Sequence, residues 1–144
     1  MSRTEDAVSQ FEKGYNCAQA ILSTYGVELG IDLESALRLS CGFGGGMARM
    51  AETCGAVTGA FMVLGLKFPS SKGGDFDAKE KTYEAVHRFA EKFNAKNGSI
   101  VCRDLLGCDI GTEEGRSLAV DNQLFYTKCP GFVRFAAEII EEML

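Results

Sequence analysis

The stretch that decides the fold is CGFGGGMARMAETCGAVTGAFMVLGL, running from Cys41 to Leu66. Its first half is too rich in glycine for regular structure, because glycine loses more backbone freedom on ordering than any other residue. Its second half is apolar and predicts a buried helix starting near Cys54. Thr53 is the expected N-cap of that helix, and Gly65 lies near its end. Cys54 then falls in the first turn, beside backbone N–H groups that have no partner within the helix. Positive potential there favours a thiolate over a thiol.

Outward from this stretch the chain reads as helices separated by capping residues and glycines. Toward the N-terminus, a helix is expected over Thr4 to Lys13, with Ala7, Val8 and Phe11 on one face and Gly14 as its stop. Asn16 is a good N-cap for a second helix through Cys17, Ala20 and Ile21 to Tyr25, with Gly26 at C′. Asp32 caps a third helix that dissolves into the glycine segment at Cys41. Toward the C-terminus, a polar loop from Pro69 to Asp75 precedes a long amphipathic helix over Asp77 to Lys96. In that helix Tyr83, Val86, Phe89, Ala90 and Phe93 recur at helical spacing. Ser99 is expected to cap a short helix through Cys102 that Gly107 closes. Thr112 caps a stretch from Glu113 to about Gln123, and Cys129-Pro130 opens the last helix with Cys129 at the cap. No alternating strand pattern, internal repeat or linker interrupts this series. The expected fold is all-α, a single compact bundle of about five to seven helices forming one domain over 1–144.

Composition narrows the function classes. Apolar residues make up 46% of the 144-residue chain and charged residues 24%, as in ordinary globular proteins. A net charge of -5 without a basic block argues against nucleic acid as a partner. The start, MSRTED, lacks an apolar signal core, and the run from Ala56 to Leu66 is too short to span a bilayer, which needs about 20 residues. The expectation is a cytoplasmic protein without membrane insertion. A chain of this kind admits a homodimer, though no residue pattern argues for one.

Six cysteines exceed what packing needs. Stable disulfides are rare in a reducing cytoplasm, so the excess points to metal binding or redox chemistry. No Cys-x-x-Cys pair occurs, so a shared site must be assembled in three dimensions. Capping chemistry sorts the six. Cys17, Cys54, Cys102 and Cys129 all fall at expected helix N-termini. Cys41 falls at a helix C-terminus, where the dipole disfavours a thiolate, and Cys108 follows Gly107. Cysteines are also among the most buried residues and can serve as small hydrophobes.

The run Asn16-Cys17-Ala18-Gln19-Ala20, the segment Gly42-Phe43-Gly44-Gly45-Gly46-Met47, the motif Cys54-Gly55-Ala56-Val57-Thr58-Gly59, then Cys102-Arg103-Asp104-Leu105-Leu106-Gly107 and Cys129-Pro130 resemble the C-GCAxxG-C-C family of redox-active proteins. The resemblance covers nearly the whole chain. It implies that Cys17, Cys54, Cys102 and Cys129 are the four hallmark cysteines and that Cys41 and Cys108 are additions. It further implies an anaerobic or microaerobic setting and a redox partner protein, in association with transporters.

Four cysteine sulfurs suffice for an iron–sulfur cluster or for a tetrahedral zinc. Helix N-termini suit an anionic cluster, because N–H groups donate to its sulfurs. Gly44, Gly45 and Gly46 can add donors as a backbone nest binding the cofactor, or can simply form a tight corner. A metal-free alternative cycles two thiols between dithiol and disulfide, with Cys54 as nucleophile and Cys129 next. A third reading is a structural zinc in an interaction module. Gly55 with Gly59, and Ala56 with Ala60, form small rows that suit close helix packing. His87, the only histidine, reads as structural. Arg49 and Glu52 flank the central helix start, and Glu138, Glu141 and Glu142 read as a solvated face.

Overall fold

The computed structural model describes residues 2–68 and 73–144. The expected polar loop lies partly outside the described residues, at 69–72. The elements are α1 (Thr4–Glu12), α2 (Cys17–Ile21), α3 (Leu33–Cys41), α4 (Gly44–Met47), α5 (Gly55–Lys67), α6 (Phe76–Asn97), α7 (Cys102–Leu106), α8 (Glu113–Asp121), α9 (Leu124–Thr127) and α10 (Cys129–Met143). The fold is all-α, and no strand occurs among the described residues. The longer helices are those expected from periodicity. The additional elements, α4 and α9, are single turns.

Side-chain caps start four helices among the described residues, and those at Asn16, Asp32 and Thr112 are ones the sequence predicts. Asn16 forms a full capping box: its side chain accepts from Gln19 N at 3.0 Å, and Gln19 Oε1 accepts from Asn16 N at 3.0 Å. Asp32 accepts from Ser35 N, Asp75 from Ala78 N and Thr112 from Gly115 N. The end of the second helix differs from expectation. Gly26 is not its C′ residue. The chain passes from α2 through a π-helical turn, Leu22–Gly26, and a 3-10 turn, Val27–Leu29, to Gly30, which takes the left-handed cap at φ 107°. Gly26 is glycine for a packing reason: a Cβ there would meet Leu22 Cδ1 at 2.9 Å and Ile31 Cγ2 at 3.0 Å.

Helix α5 is the hub. Ala56, Val57, Ala60, Val63 and Leu64 are fully buried, and α2, α6 and α10 all pack on it. Its approach to α2 is backbone to backbone. A Cβ at Gly59 would stand 2.9 Å from Ala18 O, and one at Gly55 would stand 3.0 Å from Ala18 N and 3.0 Å from Phe43 O. The small row is therefore a packing seam. Phe89 and Phe93 of α6 stack at 6.1 Å between centroids, and Phe61 of α5 meets Phe89 edge-on, closing the opposite side of the hub.

Glu141, expected on a solvated face, instead ties α10 to the start of α1. Its carboxylate accepts from Thr4 Oγ1 at 2.7 Å, Tyr25 Oη at 3.0 Å, Arg3 N at 3.2 Å and Ser2 Oγ at 3.0 Å. Burial pulls its pKa up, but these donors outweigh burial and hold it below the ordinary carboxyl range. Among the described residues no helix is long and apolar enough to cross a membrane.

Two outcomes are expected. Gly59→Ala should destabilise the protein by about 1–3 kcal/mol, because the seam has no room for a methyl group. Gly65→Ala, with nothing within 4 Å, should be neutral or stabilising by about 0.5–1 kcal/mol. Urea melts of the two variants measure this contrast. Glu141→Gln should cost about 1 kcal/mol at neutral pH, the lower end for charged hydrogen bonds at a half-exposed site. A carboxylate whose folded pKa is depressed stabilises above its unfolded pKa and loses that stabilisation as pH falls through its folded pKa. The gap between wild type and the variant should therefore narrow in acid melts below about pH 4.3.

Candidate functional site

The four cysteines singled out from the sequence line one cleft of about 590 Å³. Cys17, Cys54, Cys102 and Cys129 are each buried, and all six cysteines are free thiols. Each arrives by a different local device. Cys17 is the first residue of α2, behind the Asn16 capping box. Cys129 is the first residue of α10, with Lys128 as N-cap and Pro130 just inside the helix.

Cys54 and Cys102 are set by a pairing that helix-capping logic did not anticipate. Thr53 does not cap α5. It forms an isolated antiparallel bridge with Val101, and Cys54 is itself the N-cap, with extended backbone at φ -53°, ψ 137°. Cys54 N donates to Ile100 O at 2.8 Å, Cys102 N to Glu52 O at 2.6 Å and Arg103 N to Ala51 O at 3.2 Å. The Arg103–Glu52 ion pair, at 2.9 Å, lies on the same pairing. Ser99 likewise is not the N-cap of α7, a place held by Val101. Its hydroxyl accepts from Val101 N and donates to Asp104 Oδ2, shaping the turn before Cys102.

The sulfurs differ in acidity. The thiol of Cys17 faces Cys129 and Cys54, both placed to accept its proton, and these contacts with burial push its pKa well up. Cys54 is held below the ordinary thiol value by the Cys17 proton, aided by the N–H groups of Ala56 and Val57, against the opposing effect of burial. Burial, followed by the neighbouring Cys54, Cys129 and Cys108 sulfurs, pushes Cys102 up to about 12.

Gly44, Gly45 and Gly46 also line the cleft. Their conformation is not a simple corner. Every residue from Gly45 to Arg49 has positive φ, between 53° and 69°. The run therefore turns left-handed, at a cost of roughly 1–2 kcal/mol for each non-glycine residue. Glycine is required at its tightest points: a Cβ on Gly46 would meet Cys102 Cβ at 2.7 Å and Glu52 N at 2.7 Å, and one on Gly44 would collide with the Asn16 side chain. The run closes with Ala51 N donating to Gly45 O at 3.2 Å and Glu52 N to Gly46 O at 2.9 Å.

Sequence reasoning missed part of the lining. Cys41, set aside as an addition, lies on the cleft and is exposed, and its carbonyl accepts from Asn16 Nδ2 at 2.8 Å. Arg116 on α8 joins Arg49 there. Nothing in local sequence marks Arg116, because its position is decided by how α8 folds back. Cys108, His87 and Glu52 are not cleft residues, and His87 is exposed on α6. The cleft residues include no carboxylate and no imidazole. Among the described residues, no three His, Cys, Asp or Glu side chains are grouped so as to hold a metal ion.

No curated protein and no solved structure matches the chain. Residues 15–143 match the family described as "Putative redox-active protein (C_GCAxxG_C_C)". That match spans α2 to α10 and includes every cleft cysteine, so the chain belongs to the C_GCAxxG_C_C family.

Proposed function

We propose that the cleft is a redox centre in which Cys17, Cys54, Cys102 and Cys129 ligate an iron–sulfur cluster and exchange single electrons with a partner protein. The donor set supports this reading: the four buried cysteines, together with exposed Cys41, line one cleft that offers no carboxylate or imidazole. Thiolate donors select soft metals and iron–sulfur centres, whereas carboxylates and carbonyls suit hard cations. A cluster would take those sulfurs as its ligands. When bound, it would supply one-electron chemistry at a potential set by burial and by N–H donation to sulfur.

The chain's own residues supply the rest. Ala56 and Val57 aim backbone N–H groups at the Cys54 sulfur and favour its thiolate. The seam at Gly55 holds Cys17 beside Cys54. Phe11, Leu106, Phe125 and Phe132 give the cleft apolar walls. Six free thiols fit a reducing cytoplasm.

One observation favours a second, metal-free reading: Cys54 and Cys17 differ in acidity while facing one another. In that reading the Cys54 thiolate attacks a partner disulfide and forms a mixed disulfide. Cys17 then attacks the Cys54 sulfur, its proton passes to the departing partner thiolate, and a Cys17–Cys54 disulfide remains. Two electrons have moved to the partner.

Anaerobic reconstitution with iron and sulfide tests the first reading. The wild type and Cys108→Ser should retain iron and sulfide with visible absorption. Cys54→Ala and Cys129→Ala should lose most of both. Failure of the wild type to retain iron, with a Cys17–Cys54 disulfide found by mass spectrometry after mild oxidation, would replace the cluster by the dithiol. Retention of zinc alone would leave the site structural.

A further inference from the structure

The cleft does not end at the cysteines. Arg49 and Arg116 line both it and an adjoining polar basin, and so stand where the two spaces meet. We propose that these two arginines form a binding site for a small organic anion with an apolar body. Its carboxylate or phosphate would be held by the guanidinium groups, and its body would lie in the cleft toward the sulfurs.

Three observations carry this. First, the arginines are unengaged. In a chain of net charge -5, Arg3, Arg38, Arg103 and Arg134 each pair with a carboxylate. Among the described residues neither Arg49 nor Arg116 does, and the remaining arginine, Arg88, is exposed on α6, away from the cleft. Guanidinium is the side chain best suited to bidentate carboxylate or phosphate recognition. Second, Arg49 is held there at a conformational cost. It ends the left-handed run at φ 67°, and backbone strain of this kind gathers at ligand sites, where surrounding structure enforces it. Third, the cleft itself has no acidic lining residue, Glu52, Asp109 and Glu113 belonging to the adjoining basin, while Leu105, Ile110, Val120 and Phe125 offer an anion's body an apolar wall. A concave apolar site with a few convergent polar groups is the usual form of a small-molecule pocket. As an anion site the proposal is independent of the redox reading. As the site of a redox substrate it rests on that reading.

The test uses the full chain, metal-free and reconstituted. Benzoate and phenyl phosphate are titrated calorimetrically, with benzyl alcohol as the neutral control. Both anions should bind, benzyl alcohol at least tenfold more weakly, and added salt should weaken the anions alone. Preference between benzoate and phenyl phosphate identifies the headgroup. Arg116→Gln and Arg49→Gly should each lower anion affinity at least tenfold while circular dichroism stays helical. The glycine variant also keeps the left-handed backbone without strain, so it should fold at least as well as the wild type. Metal-free protein is the arm that separates the two proposals. Anion binding there, with no iron retained on reconstitution, would leave this site standing and remove the cluster. Equal binding of benzoate and benzyl alcohol would overturn the anion site. So would unchanged affinity in both variants, including the case where iron retention falls instead and the arginines serve the cluster.

Discussion

The structure depends on one close contact, the backbone of α2 lying against the backbone of α5. Two glycines one turn apart, Gly55 and Gly59, leave no side chain between Ala18 and α5. Dispersion falls steeply with separation, so contact at this distance makes the pair act as one rigid body. The consequence is chemical as well as mechanical. Both helices begin at the same end of the seam, which sets Cys17 against Cys54. Helix α10 packs on both and brings Cys129 to the same point. Any side chain larger than hydrogen at Gly55 would meet Cys17 Cβ at 3.1 Å, so the seam and the site are the same feature.

A second constraint follows from the first. Cys54 must leave the α5 start in extended conformation, which lets residues 51–54 pair with residues 100–103 and draws Cys102 into place. To reach that pairing from the end of α3, the chain reverses within the segment from Gly42 to Met50. It does so through the left-handed run from Gly45 to Arg49. The strain of Met47, Ala48 and Arg49 is sustained because Ala51 and Glu52 are bonded on both sides, to Gly45 and Gly46 and to Cys102 and Arg103. The glycines permit the reversal, and the pairing enforces the rest of it.

Much of this is legible in the sequence, for definable reasons. Asn16, Asp32 and Thr112 act through bonds to residues three positions on, so local spacing suffices to place them. The periodicity of Phe89 and Phe93 is likewise local. The sorting of the cysteines follows from helix starts, and it separates the four buried thiols from exposed Cys41 and half-buried Cys108. What escapes is set by partners distant in the chain. Thr53 has the chemistry of a cap but is drawn to Val101, which leaves Cys54 at the N-cap position. Gly26 has the chemistry of a C′ residue but is small because Leu22 and Ile31 crowd it. Glu141 sits on an acidic stretch and turns inward because Thr4 and Tyr25 meet it from the other end of the chain. Arg116 gains its meaning only from the cleft it lines.

Clustering also governs how these thiols ionise. Each thiolate raises the cost of the next, and burial adds to it, so the pKa is lowered at Cys54 and raised at Cys17 and Cys102. Cys54 has both a proton donor in Cys17 and two backbone N–H groups to offset its charge. Further thiolates require a positive charge that the cleft walls supply only at Arg49 and Arg116. Any metal binding at this cleft would have to displace thiol protons, because it is the thiolate that ligates. Burial and the neighbouring sulfurs favour the protonated form of Cys17 and Cys102, which is the less nucleophilic one.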